Sequence, residues 1–180
     1  MDSRTRKRSA NKERELIDAL DLCYLIFPED FISELNIQKE YKLVDDRKYT
    51  NSSNQSRYLD QVISINNNRV VAIEFKSGVL TAQDIEECGV VRGYFELVDR
   101  QVKNCDTFLF VGEKVSDAAT DLASVYSLNS GTTIKVLSYS TYIQTIFMYY
   151  LNWALSNGNK WIFISKPPDG RKVRRVALKL

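Results

Sequence analysis

The chain contains no histidine. That absence removes imidazole as general base, nucleophile and metal ligand. Ser-His-Asp triads, HExxH zinc sites and histidine-metal nuclease designs are excluded with it. Cysteine is scarce as well: only Cys23, Cys88 and Cys105 occur. The number is odd, the spacings are wide and there is no CxxC. Neither a disulfide framework nor a zinc finger is expected, and reduced thiols suit a cytoplasmic setting, that of a host cell if the chain is viral. No apolar run approaches a membrane span. The opening MDSRTRKRSANKERE lacks the apolar stretch of a secretory signal. No membrane partner is expected, and any chemistry must come from carboxylates, lysine, tyrosine or a hard cation.

The 180 residues, 44% hydrophobic and 27% charged, suit a single domain with a real core. Charge is unevenly spread. Of 25 basic residues, six lie in 1–14 (Arg4, Arg6, Lys7, Arg8, Lys12, Arg14) and seven in 160–180, which leaves 12 for the middle. Of 23 acidic residues, 20 lie in that middle. Basic ends on an acidic body suit a polyanion binder, with DNA the expected partner, although basic tails also serve merely as solubilising ends.

Patterning predicts a flexible basic arm over residues 1–11 and one domain over 12–180. A helix is expected from Asn11 to Phe27, closed by Pro28. Strands are expected over 34–44, 57–65 and 69–77. A long helix over 81–103 follows, with Thr81 as its cap. Then come a strand from Cys105, a helix from Ser116, a strand over TTIKVLSYS and an apolar helix ending at a glycine. A last strand, a Pro-Asp-Gly turn and a basic strand or tail complete the chain. The order is α-β-β-β-α-β-α-β-α-β, a mixed α/β domain around one sheet.

One stretch stands out: YLDQVISINNNRVVAIEFKSG, residues 58–78. A three-residue loop of Asn66–Asn68 pairs residues equidistant from Asn67. Asp60 and Glu74 are each seven residues away, so they lie opposite each other on one face. Lys76, two residues on, shares that face. The odd positions (Leu59, Gln61, Ile63, Ile65, Val71, Ile73, Phe75) are nearly all apolar and are expected to form the core face. Two facing carboxylates repel unless a cation offsets them. Lys76 offsets part, and with oxygen ligands only, Mg2+ or Mn2+ would offset more. The plain alternative is a surface cluster at a strand end.

A third acid follows from periodicity. On a wheel advancing about 100° per residue, Leu16, Ile17, Leu20, Tyr24 and Phe27 fall within about 60° of Glu13, and Glu15 falls on the opposite side. Glu13 is expected along the buried stripe and Glu15 in solvent. The alternative for Glu13 is a role only in favouring the helix N-terminus.

Asp60 followed by Glu74-Phe75-Lys76 resembles the signature of the PD-(D/E)xK nuclease superfamily. The helix opening Glu13-Arg14-Glu15-Leu16-Ile17 is similar to the start of archaeal Holliday-junction resolvases within it. The likeness covers residues 11 to 94, and Leu59 stands where that signature has proline. It implies a restriction-endonuclease-like fold: a mixed central sheet flanked by helices, α-β-β-β-α-β, here with C-terminal additions. It further implies a Mg2+-dependent endonuclease acting on DNA. Asp60, Glu74 and the Phe75 carbonyl would bind the metal, Lys76 would position the attacking water, and Glu13 would add a metal or water ligand. Arg14, Arg92 and Tyr94 would contact nucleic acid alongside the arm residues Arg4, Arg6, Lys7, Arg8 and Lys12. A homodimer would suit junction or two-strand cleavage. Two alternatives stand beside this reading: a non-catalytic DNA-binding or architectural protein retaining the fold, and an RNA-processing nuclease.

Overall fold

A computed structural model describes residues 15, 17–18, 24–25, 27–44, 56–65, 69–129, 131–158, 161–165 and 175–179. The chain divides into two compact units, one of Leu35–Tyr139 and one of Met1–Glu34 with Ser140–Leu180.

The first unit is built on a five-stranded mixed sheet in the order β1-β2-β3-β4-β5. Its strands are β1 (Ile37–Val44), β2 (Ser56–Ile65), β3 (Arg69–Leu80), β4 (Cys105–Val115) and β5 (Thr133–Ser138). The first three form an antiparallel meander, and β4 and β5 are added in parallel. Parallel neighbours need crossovers. After β3 the crossover is α2 (Ala82–Ile85), a π-helical segment (Glu86–Val91) and α3 (Tyr94–Gln101); after β4 it is α4 (Asp117–Asn129), the helix α1 (Glu29–Leu35) having preceded the sheet.

The crossover is not the continuous helix expected over 81–103. It starts as expected: Thr81 Oγ1 accepts from the Asp84 amide, and Asp84 accepts from the Thr81 amide at 2.8 Å, a reciprocal capping box. It then widens, with the Arg92 amide reaching back five residues to Glu87 O at 2.8 Å. Gly93, at φ 72°, breaks it before α3 resumes. That left-handed backbone is open to glycine at little cost.

The core-face expectation is corrected too. The helix-covered core takes Val62, Val70 and Ala72 from the even positions, with Phe108, Phe110 and Ile134 beside them. The odd positions Ile63, Ile73 and Phe75 are also buried. Strands covered on both faces do not alternate cleanly, and this is why odd and even looked like inside and outside.

Alternation also slips within β2. Leu59 and Leu43 belong to the same core as Val62, although strict alternation would turn Leu59 and Val62 to opposite faces. The slip falls at Asp60. In β1 it falls at the facing position, Glu40, whose φ is 48° and which the ladder skips between Lys39↔Gln61 and Tyr41↔Leu59. Both strands slip in the same row, so their register survives.

In the second unit, α1 follows Pro28 directly, and its last turn displaces the expected strand start from residue 34 to Ile37. Glu29 and Asp30 in its first turn suit the positive helix end. Phe27, Phe31, Tyr150 and Trp153, the last two on α5 (Tyr139–Ser156), make an aromatic cluster. Tyr24 and Tyr142 share a hydroxyl hydrogen bond of 2.8 Å. Tyr24 is buried and Glu15 is exposed, as the wheel requires. Phe27 is buried too, but it lies in a bend with Leu25 already in a turn, so the helix stops short of the expected end at Phe27. β6 (Trp161–Ser165) and β7 (Arg175–Lys179) pair with each other as a separate two-stranded sheet, so the expectation of one sheet is corrected to two.

Candidate active site

The β2–β3 register is the one expected from the sequence: Ile65 pairs with Arg69, Ile63 with Val71 and Gln61 with Ile73. The Asn66–Asn68 loop itself lies outside the described residues. The next row would pair Asp60 with Glu74, but the ladder stops at Gln61↔Ile73. Beyond that row β2 stays paired with β1 as far as Ser56, and β3 stays paired with β4 as far as Leu80. The two strands therefore part, and a fork opens between them.

Asp60 stands at the crotch of the fork. Its Oδ2 accepts from the Phe75 amide at 2.6 Å. A carboxylate thus takes the amide that a continuing ladder would have bonded. The slip in β2 explains how: a local irregularity re-aims a side chain. A strand residue directs its N–H and C=O to the same edge, so the Phe75 carbonyl faces the fork as well.

Glu74 lies on the helix-covered face, in register with Phe110 of β4. It is 6% exposed. Lys76 Nζ donates to its Oε1 at 3.0 Å, and both side chains are largely buried. The row beside Lys76 on the β4 side holds Gly112 and then Ser138, both small residues. At this depth a lone carboxylate would be costly; the adjacent ammonium offsets it.

The helical side supplies three more groups. Tyr94 is buried, and its hydroxyl donates to Tyr58 O at 3.2 Å. Its pKa is pushed up to about 12, first by burial and then by the charge of Glu74. Cys88 is buried, and burial pushes its thiol up, with Glu74 the next cause. Buried and held protonated in this way, Cys88 is ill suited to act as a thiolate nucleophile. Arg92 is half exposed and pairs with Glu87 at 2.7 Å; that hydrogen bond raises its pKa above the ordinary guanidinium value.

Sheet and crossover thus bring together Asp60, Glu74, Lys76 and Tyr94. Arg92 lies at the surface two residues before Tyr94, and Tyr94 serves as a strut between α3 and β2. Glu13, Arg14, Arg4, Arg6, Lys7, Arg8 and Lys12 lie outside the described residues. Among the described residues, no three His, Cys, Asp or Glu side chains gather as a metal-holding group. No helix among them is long and apolar enough to cross a membrane. Sequence reasoning missed Cys88 as a neighbour of the carboxylates. The adjacent glycine, Gly89, was the available signal: the Phe95 ring packs where its Cβ would be.

No known protein family, curated protein or solved structure matches the chain.

Proposed function

We propose that the chain is a metal-dependent DNA endonuclease of PD-(D/E)xK type, hydrolysing phosphodiester bonds at the β2–β3 fork. The observation that carries this reading is the fork itself. Two carboxylates and a lysine stand where two strands part, one carboxylate oriented by a backbone amide and the other neutralised by the lysine.

The donor set fits a hard cation. Asp60, Glu74 and the Phe75 carbonyl offer oxygen only, which suits Mg2+ or Mn2+. The resemblance would add Glu13 as a further oxygen ligand. When bound, such an ion supplies Lewis-acid polarisation of the scissile phosphate.

The rest is the work of the chain's own residues. The Phe75 amide holds Asp60 in one orientation, so little is lost in ordering it. Lys76 places a positive charge next to the carboxylates, where a water can be oriented and the developing negative charge stabilised. The low-dielectric surroundings of Glu74 and Lys76 strengthen that effect. Arg92, at the rim, can meet a phosphate, and the basic arm would add salt-sensitive affinity that is largely independent of sequence. A restriction-endonuclease-like core is part of the same reading, supported by the element order and the mixed sheet. So is a homodimer, for which the exposed Met148 and Leu155 on α5 offer apolar surface; sedimentation velocity tests it.

The test is cleavage of labelled linear, single-stranded and four-way-junction DNA, with RNA alongside, in Mg2+ or Mn2+. Cutting by the wild type that is lost in both Asp60→Ala and Lys76→Ala, with binding kept, supports the reading. Cutting that persists in both variants overturns the assignment. Binding without cutting in any metal transfers the fold to the DNA-binding class, and cutting of RNA alone makes the chain a ribonuclease.

A further inference from the structure

We propose that Tyr58 is a stacking platform for an unpaired base, so that the substrate at the fork is single-stranded or locally unpaired nucleic acid rather than continuous duplex. This rests on the nuclease reading and names its substrate class.

Tyr58 is 50% exposed. Among the described residues it is the only aromatic side chain among the large hydrophobics left exposed. The chain has 20 Phe, Tyr and Trp residues (eight, ten and two), and this one stands on a strand arm of the fork. It lies two residues beyond Asp60, roughly 7 Å along the strand. Leu59 next to it enters the core, so alternation turns Tyr58 to the other face of the sheet from Glu74 and Lys76, and a base stacked on it would meet the fork from that face.

The backbone beneath the ring is fixed from several sides. Tyr94 donates to the Tyr58 carbonyl at 3.2 Å. The neighbouring end of β1 is clamped to α3: Gln101 accepts from the Val44 amide at 2.8 Å and donates to the Val44 carbonyl at 2.7 Å. Tyr41 reaches the Gln101 carbonyl from the same strand. An aromatic ring on a fixed backbone loses little freedom when something stacks on it.

The ring's neighbour selects the ligand. Lys42 is the direct cross-strand partner of Tyr58 and is exposed, so it shares the ring's face. An apolar protein partner would find a lysine there. A nucleotide finds a π-surface for its base and a cation for its phosphate. Within a duplex, base faces are already stacked and only edges and phosphates are presented. An exposed ring therefore favours a strand whose bases are unstacked.

The test uses full-length protein carrying Asp60→Asn to prevent turnover. Binding is measured by anisotropy to labelled oligothymidylate, to a blunt duplex and to a duplex bearing a single-stranded flap. Adding Tyr58→Ala should weaken single strand and flap by about tenfold or more, leaving duplex unchanged, and Tyr58→Phe should keep wild-type affinity. In a Tyr58→Trp protein, oligothymidylate should quench the new indole and blunt duplex should not. Equal binding by Tyr58→Ala, or an indole that no single strand quenches, overturns the proposal while leaving the nuclease reading standing if the wild type cuts. A wild type that neither binds nor cuts any nucleic acid overturns both.

Discussion

Asp60 and Phe75 are joined by a side chain to main chain hydrogen bond of 2.6 Å across the gap where β2 leaves β3. The bond makes Asp60 a structural residue as well as a candidate ligand, and the two roles separate by substitution. Asp60→Ala leaves the Phe75 amide without that acceptor, which costs roughly 1–3 kcal/mol of stability. Asp60→Asn keeps a carbonyl acceptor and costs less. Urea denaturation of the two variants should rank them in that order, while both lose cleavage. Equal stability of the two would show that the amide does not depend on the carboxylate.

Glu74 and Lys76 form a largely buried pair on one face of β3. Removing one member strands the other. Lys76→Met alone should cost about 3 kcal/mol, and Lys76→Met with Glu74→Gln should recover most of it. A double-mutant cycle by chemical denaturation gives the coupling directly. Additive losses would mean that the pair contributes nothing as a pair.

Tyr94 carries a linkage prediction. Its phenol titrates near pH 10 in the unfolded chain and is pushed up to about 12 in the folded one. Below pH 10 both states are protonated and the group adds no slope. Between pH 10 and 12 the unfolded state releases a proton that the folded state keeps, so stability falls as pH rises. Tyr94→Phe should remove that part of the alkaline fall, as read from thermal melts across pH 9 to 12. An identical alkaline profile in the variant would contradict this placement of the hydroxyl.

Glu40 holds a left-handed backbone at φ 48°, which costs a non-glycine residue about 1–2 kcal/mol. Glu40→Gly should therefore be neutral or stabilising and keep cleavage, because the conformation survives. Glu40→Val should be destabilising and lower cleavage, because a β-branched residue resists that conformation and the slip that aims Asp60 goes with it. Loss of activity in Glu40→Gly with the fold intact would instead assign a role to the carboxylate.

Much of the site was legible in the sequence. Charges at Asp60, Glu74 and Lys76 are anomalies in apolar runs, and a short asparagine loop fixes a register that the structure reproduces down to Gln61↔Ile73. The fork was not legible. It depends on where pairing stops, and that is decided by neighbouring strands holding β2 and β3 apart. Nor was the slip at Glu40, since nothing in a glutamate signals a positive φ. The doubly buried sheet misled the assignment of faces, because apolar residues at both parities mask the period. Pro28 was read as the end of one helix when it also precedes another, a dual use that proline's fixed φ permits.

The widened turns at Glu86–Val91 have a consequence for how this site tolerates change. A strand pair holds its side chains in place by counting in twos, but a helix does so by angle. A residue lost from the wide segment would draw it back toward regular pitch, and every later side chain of the crossover would rotate by about 100°. Tyr94 would then swing off Tyr58, and Phe95 would leave the hollow over Gly89. The segment thus acts as a phase adjuster between the Thr81 cap and the strut at Tyr94. Point substitutions on its exposed side, at Val90 or Val91, should be absorbed, whereas a single deletion there should uncouple the helix from the fork without touching either carboxylate.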